Sequence, residues 1–258
     1  MTGQLRRADS PWRAVGLFLL LTGFLSGIFW VLINATQTPN PYYIWLLMWM
    51  PGISALLTCR ILRRPLSSLG WTWNWRYVVI GYLIPIIYCL VASLGIWIFG
   101  FGGFPNTDAV HQAAEALGLA GAPTWIVIAM FVVVQGTAGM VAGVGAAAGE
   151  EIGWRGFLVP ELAKVLPFTG VALLSGMIWA SWHYPITSVV YRDVGLPAWF
   201  WLLSFTFSAV AVSFALAWLR LKTGSLWPAV SACQPQPVDA VDLHAADDRG
   251  PLHEVDRR

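Results

Sequence analysis

Apolar residues do not alternate with polar ones along this chain; they run in blocks. Six long apolar stretches cover 14–33, 43–62, 77–99, 124–148, 168–186 and 198–219. A bilayer core needs roughly 20 apolar residues in helical form, and most of these blocks reach that length. Backbone polar groups inside hydrocarbon must be satisfied within the segment, so the expected elements are helices and not open strands. The predicted fold is therefore all-α, a polytopic transmembrane helix bundle with six readable spans. Pro51 and Pro85 fall inside the second and third spans, where neighbouring helices re-satisfy the carbonyls they free. Between the third and fourth blocks the chain is glycine-rich at first, and 108–119 then reads as a short amphipathic helix. The chain shows no internal repeat and no low-complexity tract.

Composition agrees with the block pattern. Hydrophobic residues make up 57% and charged residues 11%, far below the charged quarter of an ordinary soluble domain. Sixteen tryptophans suit aromatic belts at two membrane interfaces. The formal charge of +2 gives no footprint for nucleic acid, and no nucleic-acid partner is expected. Cys59, Cys89 and Cys233 are odd in number and lack CxxC spacing, so a disulfide framework is not expected. The first block follows Arg6, Arg7 and Arg13 but is as long as a full span and lacks a clear cleavage site, which marks it as a retained anchor. Of the twelve Lys and Arg up to Lys222, only Arg192 lies on the opposite side from the other eleven. That asymmetry predicts a cytoplasmic N-terminus, in what is expected to be a bacterial cell membrane.

The charged residues that remain at membrane depth are the informative ones. Glu150, Glu151 and Arg155 close the fourth block, and His183 sits in the fifth. An ionised group there costs a few kcal/mol and is rare without a task. On a helix Glu151 and Arg155 share a face at i,i+4, so Arg155 can hold Glu151 ionised. Glu150, about 100° round the axis, points elsewhere. One acid is then anchored and the other is available as a general base. His183 is a candidate metal ligand or proton partner. The competing interpretations are a solvated ion-pair face at a helix end and an interfacial histidine. Trp179 and Trp182 read most simply as belt or packing aromatics, and the Tyr191-Arg192-Asp193 stretch as a polar loop. His111 lies in the opposite loop, away from the site. Gly153 and Gly156 flank Trp154 and Arg155 and allow close backbone approach there.

The stretch GEEIGWRGFLVPEL, then SGMIWASWHYPI, then a span ending in LRLKTGSLWPAV, resembles the CAAX protease and bacteriocin-processing (CPBP, or Abi) family of intramembrane metalloproteases. Its EExxxR motif is matched by Glu150, Glu151 and Arg155, and its FxxxH motif by Trp179 and His183, with tryptophan replacing phenylalanine. The resemblance covers 143–230, the motif core of an integral membrane domain spanning 1–230. It implies endopeptidase cleavage of a peptide or protein substrate near the bilayer by a water activated on the first glutamate. It implies catalytic roles for Glu150, Glu151, Arg155 and His183, with Glu150 and His183 as the candidate metal ligands. Zinc and a metal-independent glutamate mechanism both stay open. Candidate substrates are a prenylated-type C-terminus, a bacteriocin leader and a membrane-protein tail. The alternative is a non-catalytic protein of the same fold, a bacteriocin self-immunity factor or a scaffold; a transporter is a distant rival, since no repeat is found.

The family's third motif, HxxxN or HxxxD on a following span, is absent. Residues 231–258 form a polar tail, expected to be disordered or non-native, and the seventh and later spans are expected to be lost. His244 with Asp248 fits HxxxD formally, but its surroundings are too polar for a membrane cavity; His253 does not fit. Codons GCA TGC CAG CCA CAA CCT for residues 232–237, read one nucleotide later, give His-Ala-Ser-His-Asn, an HxxxN pattern in place. The expectation is a frameshift after Val230 in a longer protein. Without the third motif the chain as written is expected to be inactive or nearly so, because incomplete sites lose catalysis in large non-additive steps.

Overall fold

The computed structural model describes residues 10–36, 40–100, 107–190 and 197–233. They form ten α-helices: α1 (Pro11–Thr36), α2 (Pro41–Ile61), α3 (Trp75–Ile98), α4 (Thr107–Ala116), α5 (Thr124–Val134), α6 (Met140–Glu151), α7 (Val159–Leu162), α8 (Phe168–Val190), α9 (Ala198–Thr223) and α10 (Trp227–Cys233). A 3-10 turn covers Leu66–Leu69, and two π-helical segments, Gln135–Gly139 and Ile152–Leu158, join α5 to α6 and α6 to α7. Among the described residues there is no strand, and the all-α expectation holds. The short helix read after the glycine-rich stretch is α4.

Local sequence sets the helix ends. Asn40 caps α2, its side chain accepting from the backbone N–H groups of Tyr42 and Tyr43, with Pro41 at the first helical position, where its missing N–H costs nothing. Gly224 closes α9 at φ 67° and returns its N–H to the Arg220 carbonyl, a left-handed stop that glycine adopts freely.

Four helices, α1, α2, 75–92 of α3, and α9, are long and apolar enough to cross a membrane; the broken path 124–162 makes a fifth if counted as one span. Six were expected. The difference lies in α8, which is 23 residues long yet not among these spans. Ser175, Ser181, His183 and Thr187 interrupt its apolar run, and part of that polarity faces inward. Segment 191–196, with Tyr191, Arg192 and Asp193, lies outside the described residues, as do 234–258, including His244, Asp248 and His253.

The chain divides into two compact units, one taking the chain up to Gly81 together with Gly145–Cys233, the other Tyr82–Val144. The second unit holds α4, α5 and the first π segment, with α4 packed on α5. The first unit carries all the charged residues at membrane depth.

In that first unit the usual burial order of a soluble protein is inverted. On α1, Thr22 and Ser26 are buried while Leu20 and Phe24 are 74% and 73% exposed. On α9, Ser213 is buried and Leu203 and Phe207 are exposed. Apolar side chains outward and small polar ones inward is the arrangement that lipid rewards. Small residues set the helix spacing. A Cβ at Gly153 would lie 2.6 Å from the Pro51 carbonyl carbon, and one at Gly149 would lie 2.9 Å from the Trp49 Cα. So α2 touches α6 and the second π segment backbone to backbone, and nothing larger than glycine fits.

Candidate active site

The two acids end α6, and the chain widens into the π-helical segment Ile152–Leu158 immediately after them. Such segments are rare and frequently stand at functional sites. All seven of its residues are buried, pinned from one side by the α2 contact just described. From the other side Arg220 of α9 donates Nε–H to the Arg155 carbonyl across 2.7 Å and Nη2–H to the Ser68 carbonyl across 3.3 Å. A π turn displaces carbonyls from the regular ladder; here a guanidinium from another helix takes one of them.

Within this frame Arg155 donates Nη1–H to Glu151 Oε1 across 2.6 Å, and both residues are buried. The i,i+4 pair expected for a regular helix forms although the turn between the partners is π. Arg155 also donates Nη2–H to Ser213 Oγ of α9 at 3.4 Å. Its Cζ lies over the indole of Trp179 at 4.7 Å from the ring centroid, a cation–π contact that strengthens as water is excluded. The Cys233 thiol of α10 donates to Glu151 Oε1 across 3.2 Å. Glu151 Oε2 is buried and takes no hydrogen bond from any described residue, leaving one accepting position of the anchored acid open to a group from elsewhere.

Glu150 is half-buried and separate from this pair. Its Oε2 accepts the indole N–H of Trp179 on α8 across 2.7 Å. His183, one turn further along α8, places Nδ1 3.0 Å from the Trp179 carbonyl oxygen. A carbonyl only accepts, so Nδ1 carries a proton, and in the neutral imidazole Nε2 keeps its lone pair. The imidazole stands among rings, 4.7 Å from Trp182 and 5.1 Å from Phe205 centroid to centroid. Glu150, Glu151, Arg155 and His183 are thus tied into one network, with Trp179 as the common neighbour of Glu150, Arg155 and His183.

Trp179, read from sequence as a packing aromatic, is a hydrogen-bond donor at the centre of the site. Arg220, Ser213 and Cys233 were not singled out as site residues. A signal for Trp179 was present: a tryptophan four residues before the histidine shares its helix face and carries an N–H. Nothing in the sequence marked Ser213 or Cys233. Trp182 turns from the site, donating Nε1–H to Ser26 Oγ of α1 across 2.8 Å.

Glu150 and His183 supply two donors, where a catalytic zinc takes three from the protein. Among the described residues no group of three or more His, Cys, Asp or Glu is placed to hold a metal. A third ligand would have to come from outside those residues.

Residues 122–232 match the family model of the Rce1-like, type II CAAX prenyl endopeptidases. Over 81 residues the chain is 30% identical to CAAX prenyl protease 2 of Methanococcus maripaludis, the alignment spanning 30% of this chain and 30% of that protein. No solved structure matches the chain. The two matches support a CAAX protease/CPBP family assignment, the one the EExxxR and WxxxH motifs pointed to.

Proposed function

We propose that this CAAX-type membrane protein is an endopeptidase in which Glu150 activates water for attack on a peptide bond presented at the membrane. The observation that supports this most is the different tethering of two adjacent acids. Glu151 is neutralised and immobilised by Arg155 at 2.6 Å, whereas Glu150 is half-buried and held by a single neutral donor, the Trp179 indole, at 2.7 Å. A carboxylate that accepts a proton must give up its pairing with a guanidinium, whereas Glu150 gives up no ion pair among the described residues to do the same.

In the hydrolysis a water oxygen adds to the scissile carbonyl carbon as its proton passes to Glu150. The tetrahedral adduct then collapses, the C–N bond breaks, and the proton on Glu150 moves to the departing amine nitrogen. His183, with Nε2 bare, accepts a hydrogen bond from the attacking water and helps to orient it. A divalent metal, if held by Glu150, His183 and a further ligand, would supply charge stabilisation of the adduct. The substrate class is a prenylated C-terminal peptide, following the type of the family model and of the relative. The polar tail in place of the third motif removes a partner from this centre, so the chain as written turns over slowly or not at all.

The test is cleavage of a farnesylated peptide by the detergent-purified chain and by a frame-restored version. Turnover by the restored protein that Glu150→Gln abolishes supports the reading. Restored protein that cleaves equally well with Glu150→Gln sinks it.

A further inference from the structure

Among the described residues, Trp179 touches Glu150, Arg155 and His183, each through a different group. Its indole N–H donates to Glu150 Oε2 at 2.7 Å. Its ring lies beneath the Arg155 guanidinium at 4.7 Å. Its backbone carbonyl accepts from His183 Nδ1 at 3.0 Å. The carbonyl would be there with any residue at 179. Any aromatic ring would offer Arg155 a π face. Only the bond to Glu150 needs tryptophan itself, because phenylalanine, the residue of the resembled motif, has no donor.

We propose that Trp179 is a positioning residue for Glu150, its indole N–H fixing the rotamer of the general base and aiming the other carboxylate oxygen at the water. The physical case rests on what surrounds Glu150. It is the last-but-one residue of α6, and the next turn is π-helical; its side chain forms no ion pair with any described residue. A glutamate has three side-chain torsions, and an unrestrained one spends most of its time away from any single geometry. A donor at 2.7 Å from a rigid, bulky side chain on a different helix removes that freedom without neutralising the charge. The Trp179 ring is itself held, stacked under Arg155 on one side and 5.6 Å from the His183 ring centroid. Placement of the base is thereby coupled to placement of the ion pair and of the imidazole.

This rests on the endopeptidase reading for its catalytic meaning but not for its geometry, and the experiment separates the two. In protein labelled with ¹⁵N-tryptophan, Trp179→Phe identifies the indole resonance of residue 179 by its loss. Glu150→Ala should then move that resonance, and no other indole by a comparable amount, upfield towards the position of an indole without a charged acceptor. Glu151→Gln should leave it in the hydrogen-bonded range. If the Glu150→Ala spectrum keeps the resonance in place, the proposal is overturned whether or not the protein cleaves peptides. In the frame-restored enzyme Trp179→Phe should lower kcat roughly tenfold to a hundredfold, the worth of one hydrogen bond to a charged group. KM should stay within about twofold, since an interaction made by the base and not by the substrate leaves ground-state binding alone. Trp179→Tyr, whose hydroxyl projects differently, should not rescue it. An equal loss through KM would point to a packing role and would also overturn the proposal. Absent turnover in the restored protein with a correctly shifting indole would refute only the protease reading.

Discussion

Glu151 and Arg155 face each other across 2.6 Å at a point that solvent does not reach. Neither charge is stable there alone. Removing one partner from a buried pair leaves the other uncompensated, at a cost of about 3–5 kcal/mol, whereas replacing both with apolar residues of similar size is often neutral. Glu151→Gln and Arg155→Met should each lower the melting temperature sharply in detergent, and Glu151→Leu with Arg155→Met together should recover most of the loss. A double-mutant cycle measures the coupling; single variants that melt like the parent would show the pair to be solvated.

Glycines on two faces of the same unit should behave oppositely. A Cβ at Gly149 or Gly153 would collide with the backbone of α2, at 2.8 Å from the Met48 carbonyl oxygen or 2.6 Å from the Pro51 carbonyl carbon, while Gly23 and Gly27 of α1 have nothing within 4 Å. Gly149→Ala and Gly153→Ala therefore force α2 and the π segment apart and should reduce the yield of folded protein. Gly23→Ala and Gly27→Ala should be neutral or stabilise by up to about 1 kcal/mol, the backbone freedom that alanine removes. Size-exclusion profiles and melting curves of the four variants decide it.

Arg220 anchors the far side of the π segment through the Arg155 and Ser68 carbonyls. An ammonium cannot reproduce that planar fork. Arg220→Lys should keep one bond and Arg220→Met neither. The buried Arg155 carbonyl left unpaired costs about 1–3 kcal/mol and the carbonyl of exposed Ser68 less, so stability should fall in the order Arg, Lys, Met. Backbone amide exchange in 155–159 should quicken in the same order; unchanged exchange would mean the π segment holds itself.

How much of this was legible depended on whether a feature is local. The helical blocks were readable because a membrane leaves the backbone few alternatives, and the Glu151–Arg155 contact because i,i+4 spacing places both on one face. Gly153 was read as a site of close approach, and α2 is what approaches. The π turn after Glu151 was not readable, since no residue type encodes it and it is stabilised by groups from α2 and α9. Arg220 shows the limit clearly. Read along the chain it is one more basic residue at the end of a span and enters the charge asymmetry as such; in space it is buried and turned into the site. Trp179 failed for the related reason that an indole counts as apolar until a carboxylate is seen opposite its N–H. The sixth span was not met because α8 is interrupted by His183 of the site and by Ser175, Ser181 and Thr187, whose hydroxyls bond carbonyls of α8 itself.

Position 233 supplies the last prediction. α10 runs on past Val230, with the Ser231 hydroxyl donating to the Val78 carbonyl at 2.8 Å and the Cys233 thiol donating to Glu151 at 3.2 Å. The side chain at 233 is therefore delivered to the carboxyl pair whatever residue it belongs to, because a Cβ at Gly81 would lie 2.1 Å from the Pro228 carbonyl and the helix cannot slide. A thiol there is a weak donor and a poor proton partner. The shifted reading of codons 232–237 places an imidazole at 232, next to this position, and an asparagine at 236. Sequencing the DNA around codon 231 should reveal the displaced frame, and restoring it should turn a protein without measurable peptide cleavage into one that cleaves. Cys233→Ser in the chain as written should change nothing in activity, since the thiol does no chemistry. A DNA sequence in which no single-nucleotide shift yields HxxxN, together with full activity in the unrestored chain, would remove the frameshift and the incomplete site at once.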